Sequence, residues 1–166
     1  MITIITQEFR PQTFSEVAGQ ELVKDLLKAV VKHPERSPKT LILQGEYGTG
    51  KTSCARILAK ALNCSCEDKP CNKCDNCIAI LDGSHPDIIE IDAASNNGVD
   101  EVRELIEKVK YAPIQGKFKV YIIDEVHMMT SGAFNALLKT LEEPPEHVVF
   151  ILATTDVHKV ILYPAH

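Results

Sequence analysis

Residues 45–52 read Gly-Glu-Tyr-Gly-Thr-Gly-Lys-Thr, a Gly-x-x-x-x-Gly-Lys-Thr motif. Such a loop can turn its backbone N–H groups inward around a polyphosphate, because glycine has no Cβ and accepts positive φ angles. Lys51 brings a positive charge to the β- and γ-phosphates, and the hydroxyl of Thr52 is a ligand for Mg²⁺. The motif therefore predicts that the chain binds ATP or GTP through Gly45, Glu46, Tyr47, Gly48, Thr49, Gly50, Lys51, Thr52 and Ser53.

A second motif ends an apolar run with two acidic residues, Asp124 and Glu125. Open α/β sheets bind ligands at the carboxyl ends of their strands, where this pair would lie. We expect Asp124 to hold Mg²⁺ through water, and Glu125 to act as the general base that polarises a water for in-line attack on the γ-phosphate. An acidic strand end that leads into a solvated turn is the alternative. His127 is predicted to be a hydrogen-bonded structural histidine beside this site.

A third group of residues consists of four cysteines with the spacing Cys64-x6-Cys71-x2-Cys74-x2-Cys77. Four thiolates suit a closed, tetrahedral, structural Zn²⁺ site. Cys66 could replace Cys64 as the fourth ligand. An iron–sulfur cluster is the first alternative, but its usual fourth cysteine, three residues further on and followed by proline, is absent. Free thiols in a loop are the second alternative.

These motifs need a scaffold that brings strand ends together. Apolar runs predict four β-strands, at Lys39–Gln44, Ile88–Asp92, Val120–Asp124 and Val148–Ala153. Helical spacing joins four further sets: Val23, Leu26, Leu27, Val30 and Val31; Cys54, Ile57, Leu58, Ala61 and Leu62; Val102, Leu105, Ile106 and Val109; and Phe134, Leu137, Leu138 and Leu141. This alternation predicts a single α/β domain, whose parallel sheet is covered by helices on both faces. Residues 63–76 are predicted to form a loop.

Composition excludes several classes of protein. The chain has 166 residues and a net charge of −5, which does not suit a protein that grips nucleic acid by itself. No apolar run approaches the roughly 20 residues of a membrane span, and the N-terminus lacks the basic segment of a signal peptide. We therefore expect a cytoplasmic protein without a membrane partner. In that compartment, six cysteines indicate metal binding or free thiols rather than disulfides.

Long stretches of the sequence resemble the N-terminal ATPase domain of the bacterial DNA polymerase III gamma/tau subunits, which belong to the clamp loader. The matching segments are Phe9–Phe14, Val17–Gln20, Gly45–Thr52, the four cysteines, Ile89–Val99, Tyr111–Pro113 and Phe118–Pro145. The resemblance implies a P-loop NTPase fold of the AAA+ class, a three-layer parallel sheet with a small zinc module. It also implies a motor that uses ATP to open a sliding clamp and to load it on primed DNA, together with other clamp-loader subunits.

The resemblance also implies roles for individual residues. Lys51 and Glu125 would be catalytic, together with Thr155 as the polar residue that senses the γ-phosphate. Val17 and Gln20 would line the adenine and ribose. The implied cofactors are ATP, Mg²⁺ bound at Thr52 and Asp124, and a structural Zn²⁺ bound by Cys64, Cys71, Cys74 and Cys77.

The sequence departs from the family pattern after the sensor strand. The family continues into a Ser-Arg-Cys motif, whose arginine reaches a neighbour's ATP, and then into a helical lid. Here no arginine follows Arg103. We therefore expect residues 1–166 to be a nucleotide-binding domain that lacks the arginine finger, the lid and the C-terminal regions, with a zinc-binding insertion at 64–77. An ATPase motor within the polymerase holoenzyme, weak in isolation, is the leading hypothesis. A truncated nucleotide-binding interaction module with little or no turnover is the alternative.

Overall fold

The computed structural model describes residues 10–17, 19 and 21–162. Residues 161 and 162 are described by their backbone alone. In this part of the chain, four β-strands alternate with six α-helices. The elements are α1 Glu21–Lys32, β1 Thr40–Gln44, α2 Lys51–Asn63, α3 Asp75–Asp82, β2 Ile88–Asp92, α4 Val99–Val109, β3 Lys119–Asp124, α5 Ser131–Glu142, β4 Val148–Thr154 and α6 Val157–Leu162. None of the described helices is both long and apolar enough to cross a bilayer.

The strands form one parallel sheet in the order β1-β4-β3-β2. Thr40 pairs with Phe150, and Val120 lies between Val149 on one side and Ile88 on the other. All four predicted strands are present, with bounds that differ by at most one residue. Because the strands are parallel, the polar residues that follow β1, β3 and β4 meet at one edge of the sheet.

Alternate side chains of the central strands supply two hydrophobic cores. Tyr121, Ile123, Phe150 and Leu152 pack with α4 and α5 on one face of the sheet. Val120, Ile122, Val149 and Ile151 pack with α1 and α2 on the other face. Burying each of these large side chains contributes about 1.5–3 kcal/mol, so the central strands form a rigid platform for the residues at their ends. The predicted three-layer architecture is confirmed.

The structure corrects two of the sequence predictions. Leu26 was assigned to the apolar stripe of α1, but its side chain is 59% exposed, whereas Lys24 is buried with its ammonium group 2.9 Å from Glu21. The segment predicted as a loop at 63–76 begins with the last residue of α2 and ends inside a helix that was missed, α3. Gly83 terminates α3 with a φ of +81°, and its N–H bonds to the helix carbonyls.

Candidate functional site

The glycine motif forms a compact loop between β1 and α2. Gly48 and Gly50 have φ angles of +80° and +84°, which other residues rarely adopt. At Gly45 a side chain would not fit, since its Cβ would lie 2.5 Å from the hydroxyl oxygen of Thr49. That hydroxyl donates instead to the carbonyl of Glu46 at 2.8 Å and closes the loop. Because α2 begins at Lys51, the N–H groups of its first turn lie directly after the glycine loop, as in an anion-binding site.

Lys51 contacts its own loop, whereas Thr52 connects the loop to the end of β3. The Lys51 ammonium donates to the carbonyl oxygens of Gly45 at 2.6 Å and Glu46 at 2.8 Å. The Thr52 hydroxyl donates to the carboxylate of Asp124 at 3.1 Å. Asp124 also accepts the N–H of Glu125 at 3.0 Å, which fixes the carboxylate in place. Thr52 and Asp124, predicted as magnesium ligands, are therefore adjacent in space, and two oxygen-bearing side chains at this distance fit a hard cation.

The loop and the acidic pair border a cavity of about 390 Å³, lined among others by Arg10, Tyr47, Gly48, Gly50, Lys51, Thr52, Ser53, Asp92, Asp124 and Glu125. A larger cavity of about 650 Å³ lies beside α2 and α3, but it contains neither the glycine loop nor the acidic pair. The smaller cavity is therefore the one of the two that both predicted motifs border. The carboxylate of Asp92 also lines this cavity, but it bonds to the loop that follows β2. It accepts the N–H of Ala94 at 3.0 Å and the hydroxyl of Ser95 at 3.1 Å.

Glu125 has a left-handed backbone, with a φ of +53° that is unusual for a residue with a side chain. Its side chain is 18% exposed, and one carboxylate oxygen lies 3.4 Å from Nε2 of His127. The Tyr47 hydroxyl is 3.5 Å from the same oxygen. The other ring nitrogen of His127 lies 2.8 Å from the Thr154 hydroxyl. The predicted hydrogen-bonded histidine is thus present, and it connects Glu125 to the end of β4.

The remaining candidate residues differ in their placement. Thr155 follows directly after β4 and is partly buried. Val17 is 4% exposed and packs beside Gly50 at the start of α2. Gln20 lies outside the described residues. Arg10 lines the cavity but was missed as a site residue, although it belongs to a segment, Phe9–Phe14, that carried the family resemblance. The roles of these residues stay predictions.

The four cysteines meet at the end of α2. Their sulfur atoms all lie within 4.8 Å of one another, with Cys64 4.0 Å from Cys74 and Cys71 4.0 Å from Cys77. A zinc ion with Zn–S bonds of about 2.3 Å requires sulfur–sulfur separations of about 3.8 Å, so the group fits a tetrahedral metal. The group includes Cys64 and not Cys66, which is exposed.

Backbone N–H groups favour thiolate forms in this cluster. The N–H groups of Lys73 and Cys74 point at the Cys71 sulfur, at 3.4 and 3.2 Å, and they lower the pKa of that thiol. Burial acts to raise the pKa of Cys74, but hydrogen bonds from the backbone N–H groups and the side chains of Ser65 and Cys77 outweigh it and bring the pKa to about 6. Burial raises the pKa of Cys77.

A buried polar network fixes α3 to the core. The Asp87 carboxylate accepts the N–H groups of Ile114 and Gln115 at 2.7 Å and of Gly116 at 2.6 Å. His85 Nδ1 accepts the N–H of Asp87 at 3.1 Å, and its Nε2 lies 3.0 Å from Asn76 of α3. The sequence carried no local signal for this network, because its partners come from separate segments.

A buried lysine connects the cysteine segment to the N-terminal part of the chain. The Lys60 ammonium donates to the carbonyl and the side-chain oxygen of Gln12, at 3.1 and 2.7 Å, and to Asn72 at 2.7 Å. Asn72 lies between Cys71 and Cys74, with a φ of +58°. Burial lowers the pKa of Lys60, and the neighbouring Cys77 acts in the opposite direction.

Comparison with known proteins assigns this architecture to a family. A family model described as DNA polymerase III, delta subunit, matches residues 19–162. The chain is 57% identical over 157 residues to the DNA polymerase III subunit tau of Bacillus subtilis, covering 93% of this chain and 28% of that protein. The chain belongs to the DNA polymerase III gamma/tau family. The tau subunit of Escherichia coli K12 is 52% identical over 159 residues, covering 95% of this chain and 25% of that protein.

A gamma subunit gives the same assignment. The DNA polymerase III subunit gamma of Buchnera aphidicola subsp. Baizongia pistaciae is 44% identical over 164 residues, covering 95% of this chain and 43% of that protein. The matching family model is described as the delta subunit. Identities of 44–57% over nearly the whole chain nevertheless assign this chain to the gamma/tau family. The chain spans between a quarter and less than half of the length of these relatives.

Solved structures show the same fold. A gamma subunit-related protein of Thermotoga maritima superposes with a TM-score of 0.63 at 26% identity, over 84% of this chain and 42% of that chain. The RuvB Holliday junction branch migration motor of the same organism gives 0.57 at 19% identity, over 91% of this chain and 43% of that chain. At that identity RuvB shows the fold alone. The predicted P-loop NTPase fold of the AAA+ class is confirmed.

Proposed function

We propose that this chain is the ATP-binding and ATP-hydrolysing motor module of a replicative clamp loader. In this function it works with other clamp-loader subunits to open a sliding clamp and to load it on primed DNA. One observation carries the proposal. The hydroxyl of Thr52, on the phosphate-loop helix, contacts the carboxylate of Asp124 at the end of β3, at 3.1 Å. That contact joins the two motifs of a nucleotide hydrolase in a chain whose relatives are gamma and tau subunits.

The phosphates would bind at the glycine loop and the first turn of α2. Lys51 now donates to two neutral carbonyls, and a phosphate oxygen offers it a stronger, charge-assisted bond. Thr52 and Asp124 would hold Mg²⁺, which neutralises charge on the phosphates. Val17 and Gln20 would line the adenine and ribose, and Arg10, at the border of the same cavity, would add a positive charge.

Hydrolysis would depend on Glu125. Its carboxylate borders the cavity, next in the chain to Asp124 and therefore beside the cation. There it can accept a proton from a water that attacks the γ-phosphate in line. Thr155, at the end of the neighbouring strand, would contact the γ-phosphate. An arginine from a neighbouring subunit would raise the rate by roughly 10³–10⁵, because its charge stabilises the charge that develops in the transition state.

The cysteine cluster would hold one structural Zn²⁺. All four ligand positions are filled by Cys64, Cys71, Cys74 and Cys77, so no position remains for a reacting water. The metal would therefore stabilise the end of α2 and the start of α3, and it would take no part in the phosphate chemistry.

The function is tested by comparing Glu125→Gln with the unaltered chain. ATP affinity and turnover are measured for the chain alone and in mixtures with other clamp-loader subunits, sliding clamp and primed DNA. Glu125→Gln should bind ATP normally and turn over at least about 100-fold more slowly, since a general base contributes roughly 10²–10⁴ in rate. Normal turnover by this variant would show that Glu125 is not the base. ATP binding without turnover in every mixture would favour an interaction module instead.

A further inference from the structure

His127 lies between the proposed general base and the sheet, in a fully defined set of contacts. Its Nε2 is 3.4 Å from a carboxylate oxygen of Glu125, and its Nδ1 is 2.8 Å from the hydroxyl oxygen of Thr154. The Thr154 hydroxyl also accepts the N–H of Asp156 at 3.0 Å. The side chain of His127 is 8% exposed and Thr154 is fully buried, so water does not replace these partners.

Counting hydrogens in this set selects one form of the histidine. The Thr154 hydroxyl oxygen already accepts the N–H of Asp156, and its single hydrogen can be donated to Nδ1. Nδ1 then acts as an acceptor, so the proton of a neutral imidazole must be on Nε2, which faces the carboxylate. The opposite tautomer would place two acceptors, Nε2 and a carboxylate oxygen, against each other. It would also leave the buried Thr154 hydrogen without this acceptor.

We propose that His127 is a positioning residue, held by the Thr154 hydroxyl in the form protonated on Nε2, which directs the Glu125 carboxylate at the nucleotide cavity. This inference rests on the proposed role of Glu125 as general base. His127 does not touch the reacting atoms. It restricts the rotation of a long side chain that would otherwise sample several rotamers on a left-handed backbone.

Thr154, which contacts His127, also contacts the phosphate loop. The carbonyl oxygen of Thr154 accepts the N–H of Gly45 at 3.2 Å, while its hydroxyl meets His127. The base and the start of the phosphate loop are therefore both held to one residue of the central strand β4. The 3.4 Å separation between His127 and Glu125 is long for a hydrogen bond, and such contacts commonly shorten when a substrate binds.

The first test measures the proton position directly. In protein labelled with ¹⁵N-histidine, long-range proton–nitrogen NMR spectra report which ring nitrogen of His127 carries the hydrogen. The neutral ring of the unaltered chain should carry its proton on Nε2. Thr154→Val keeps the shape of the side chain but removes the hydroxyl, and it should shift His127 toward a mixture of both tautomers. A neutral ring with its proton on Nδ1 in the unaltered chain would overturn the proposal.

The second test measures single-turnover ATP hydrolysis with the other clamp-loader subunits present. His127→Leu and Thr154→Val should each slow hydrolysis about 10- to 100-fold, the usual effect of a misplaced catalytic group, with ATP affinity changed less than about threefold. Thr154→Ser restores the hydroxyl and should be at least about tenfold faster than Thr154→Val. Thr40→Val is the matched control, since it removes a hydroxyl that donates to Leu141 at 2.7 Å from the opposite end of the sheet. It should not change the rate.

The outcomes separate the two hypotheses. If Glu125→Gln stops hydrolysis while His127→Leu hydrolyses normally, the positioning role is wrong and the proposed function stands. If Glu125→Gln hydrolyses normally, the base assignment fails, and the positioning role fails with it. The double variant His127→Leu with Glu125→Gln should be no slower than Glu125→Gln alone, since His127 acts through Glu125. An additional loss would show an independent, structural effect of His127 and would overturn the inference. If no mixture hydrolyses ATP, the NMR result alone decides whether Thr154 holds His127 in the form protonated on Nε2.

Discussion

The two ends of helix α2 are built in different ways. The helix begins at the phosphate loop with Lys51 and ends at Asn63, beside the first cysteine of the cluster. At its start, polar side chains border a cavity, and Lys51 contacts groups of its own loop, the carbonyls of Gly45 and Glu46 and the ring of Tyr47. At its end, four thiols converge, and the neighbouring carboxylate of Asp87 accepts three backbone N–H groups.

The difference reflects the charge at each end of the helix as well as the packing. The N-terminal end of a helix carries a partial positive charge, which favours an anion at the phosphate loop. The C-terminal end carries a partial negative charge, which disfavours thiolates. The buried ammonium of Lys60, in the last turn, offsets that effect near Cys77. A site for an exchanging ligand retains partners that can be replaced, whereas a structural site satisfies its groups within the protein.

Substitution at the cysteine cluster should give the largest effect on stability. Cys74→Ser removes one thiolate from the proposed zinc site, and structural zinc contributes about 10 kcal/mol or more in small zinc domains. We expect a loss of several kcal/mol in the free energy of unfolding, part of that total, with ATP affinity changed less than about threefold. Metal analysis and chemical denaturation check this. Cys66→Ser is the control and should retain one zinc per chain. Protein purified without chelator that contains iron, or no metal, would contradict the site.

Asp87→Asn should give the next largest loss, because the amide has one acceptor oxygen for the three N–H groups that the buried carboxylate accepts. We expect a loss of about 3 kcal/mol in the free energy of unfolding. Burial acts to raise the pKa of Asp87, but the N–H groups of Gly116, Ile114 and Gln115 lower it. The stabilisation should therefore be complete above the ordinary pKa of about 3.9 and be lost as the pH falls through the lower folded value.

Urea denaturation between pH 7 and pH 2 measures the Asp87 contribution. The matched control is Asp82→Asn, at an exposed carboxylate that accepts hydrogen bonds from the N–H and the hydroxyl of Ser84. That variant should unfold almost as the unaltered chain does. Equal losses for both variants would show that the buried network adds little.

Lys51→Ala should change binding more than folding. A hydrogen bond to a charged group is worth about 1.5–3 kcal/mol, so ATP should bind roughly 10- to 100-fold more weakly. The free energy of unfolding should change by less than about 1 kcal/mol, since Lys51 bonds only to its own loop. Calorimetry measures the affinity for ATP, and chemical denaturation measures the free energy of unfolding. A large loss of stability would contradict the contrast between the two ends of α2.

The smallest effect is expected at the middle of α2. Arg56 contacts Glu90 through two nitrogens, at 2.5 and 2.9 Å, but both side chains are more than a third exposed. Because solvent screens such pairs, Arg56→Gln should lower the free energy of unfolding by at most about 1 kcal/mol. The loss should be smaller at high salt. Denaturation at two salt concentrations measures this. A loss above about 2 kcal/mol would show a role for the pair in the adjoining large cavity.

The sequence predicted the parts of the fold that depend on local patterns. The four strands and their motif-bearing ends follow from continuous apolar runs. Helix α3 was missed because it has eight residues, of which only Cys77 and Ile80 are buried, and its first turn overlaps the cysteine spacing. Gly83, at its end, was the available signal.

The contacts that complete the site depend on distant segments and could not be predicted from spacing. Asp87 meets a loop at 114–116, and Lys60 meets Gln12, across long separations in sequence. The hydroxyl beside His127 is that of Thr154, whereas the family resemblance implies a role for Thr155. Adjacent threonines at a strand end point to opposite sides, and the sequence alone does not say which one faces the histidine.

The strand order also sets a sequence of events during synthesis of the chain. β1 pairs with β4, and Thr40 pairs with Phe150. The strand that precedes the phosphate loop therefore gains its partner strand only after Phe150 has been synthesised. The cysteines, in contrast, all lie between residues 64 and 77 and need only a short loop to close. A nascent chain that has emerged through α3 could therefore already capture a metal ion. It would gain a nucleotide site only once β4 had left the ribosome and entered the centre of the sheet.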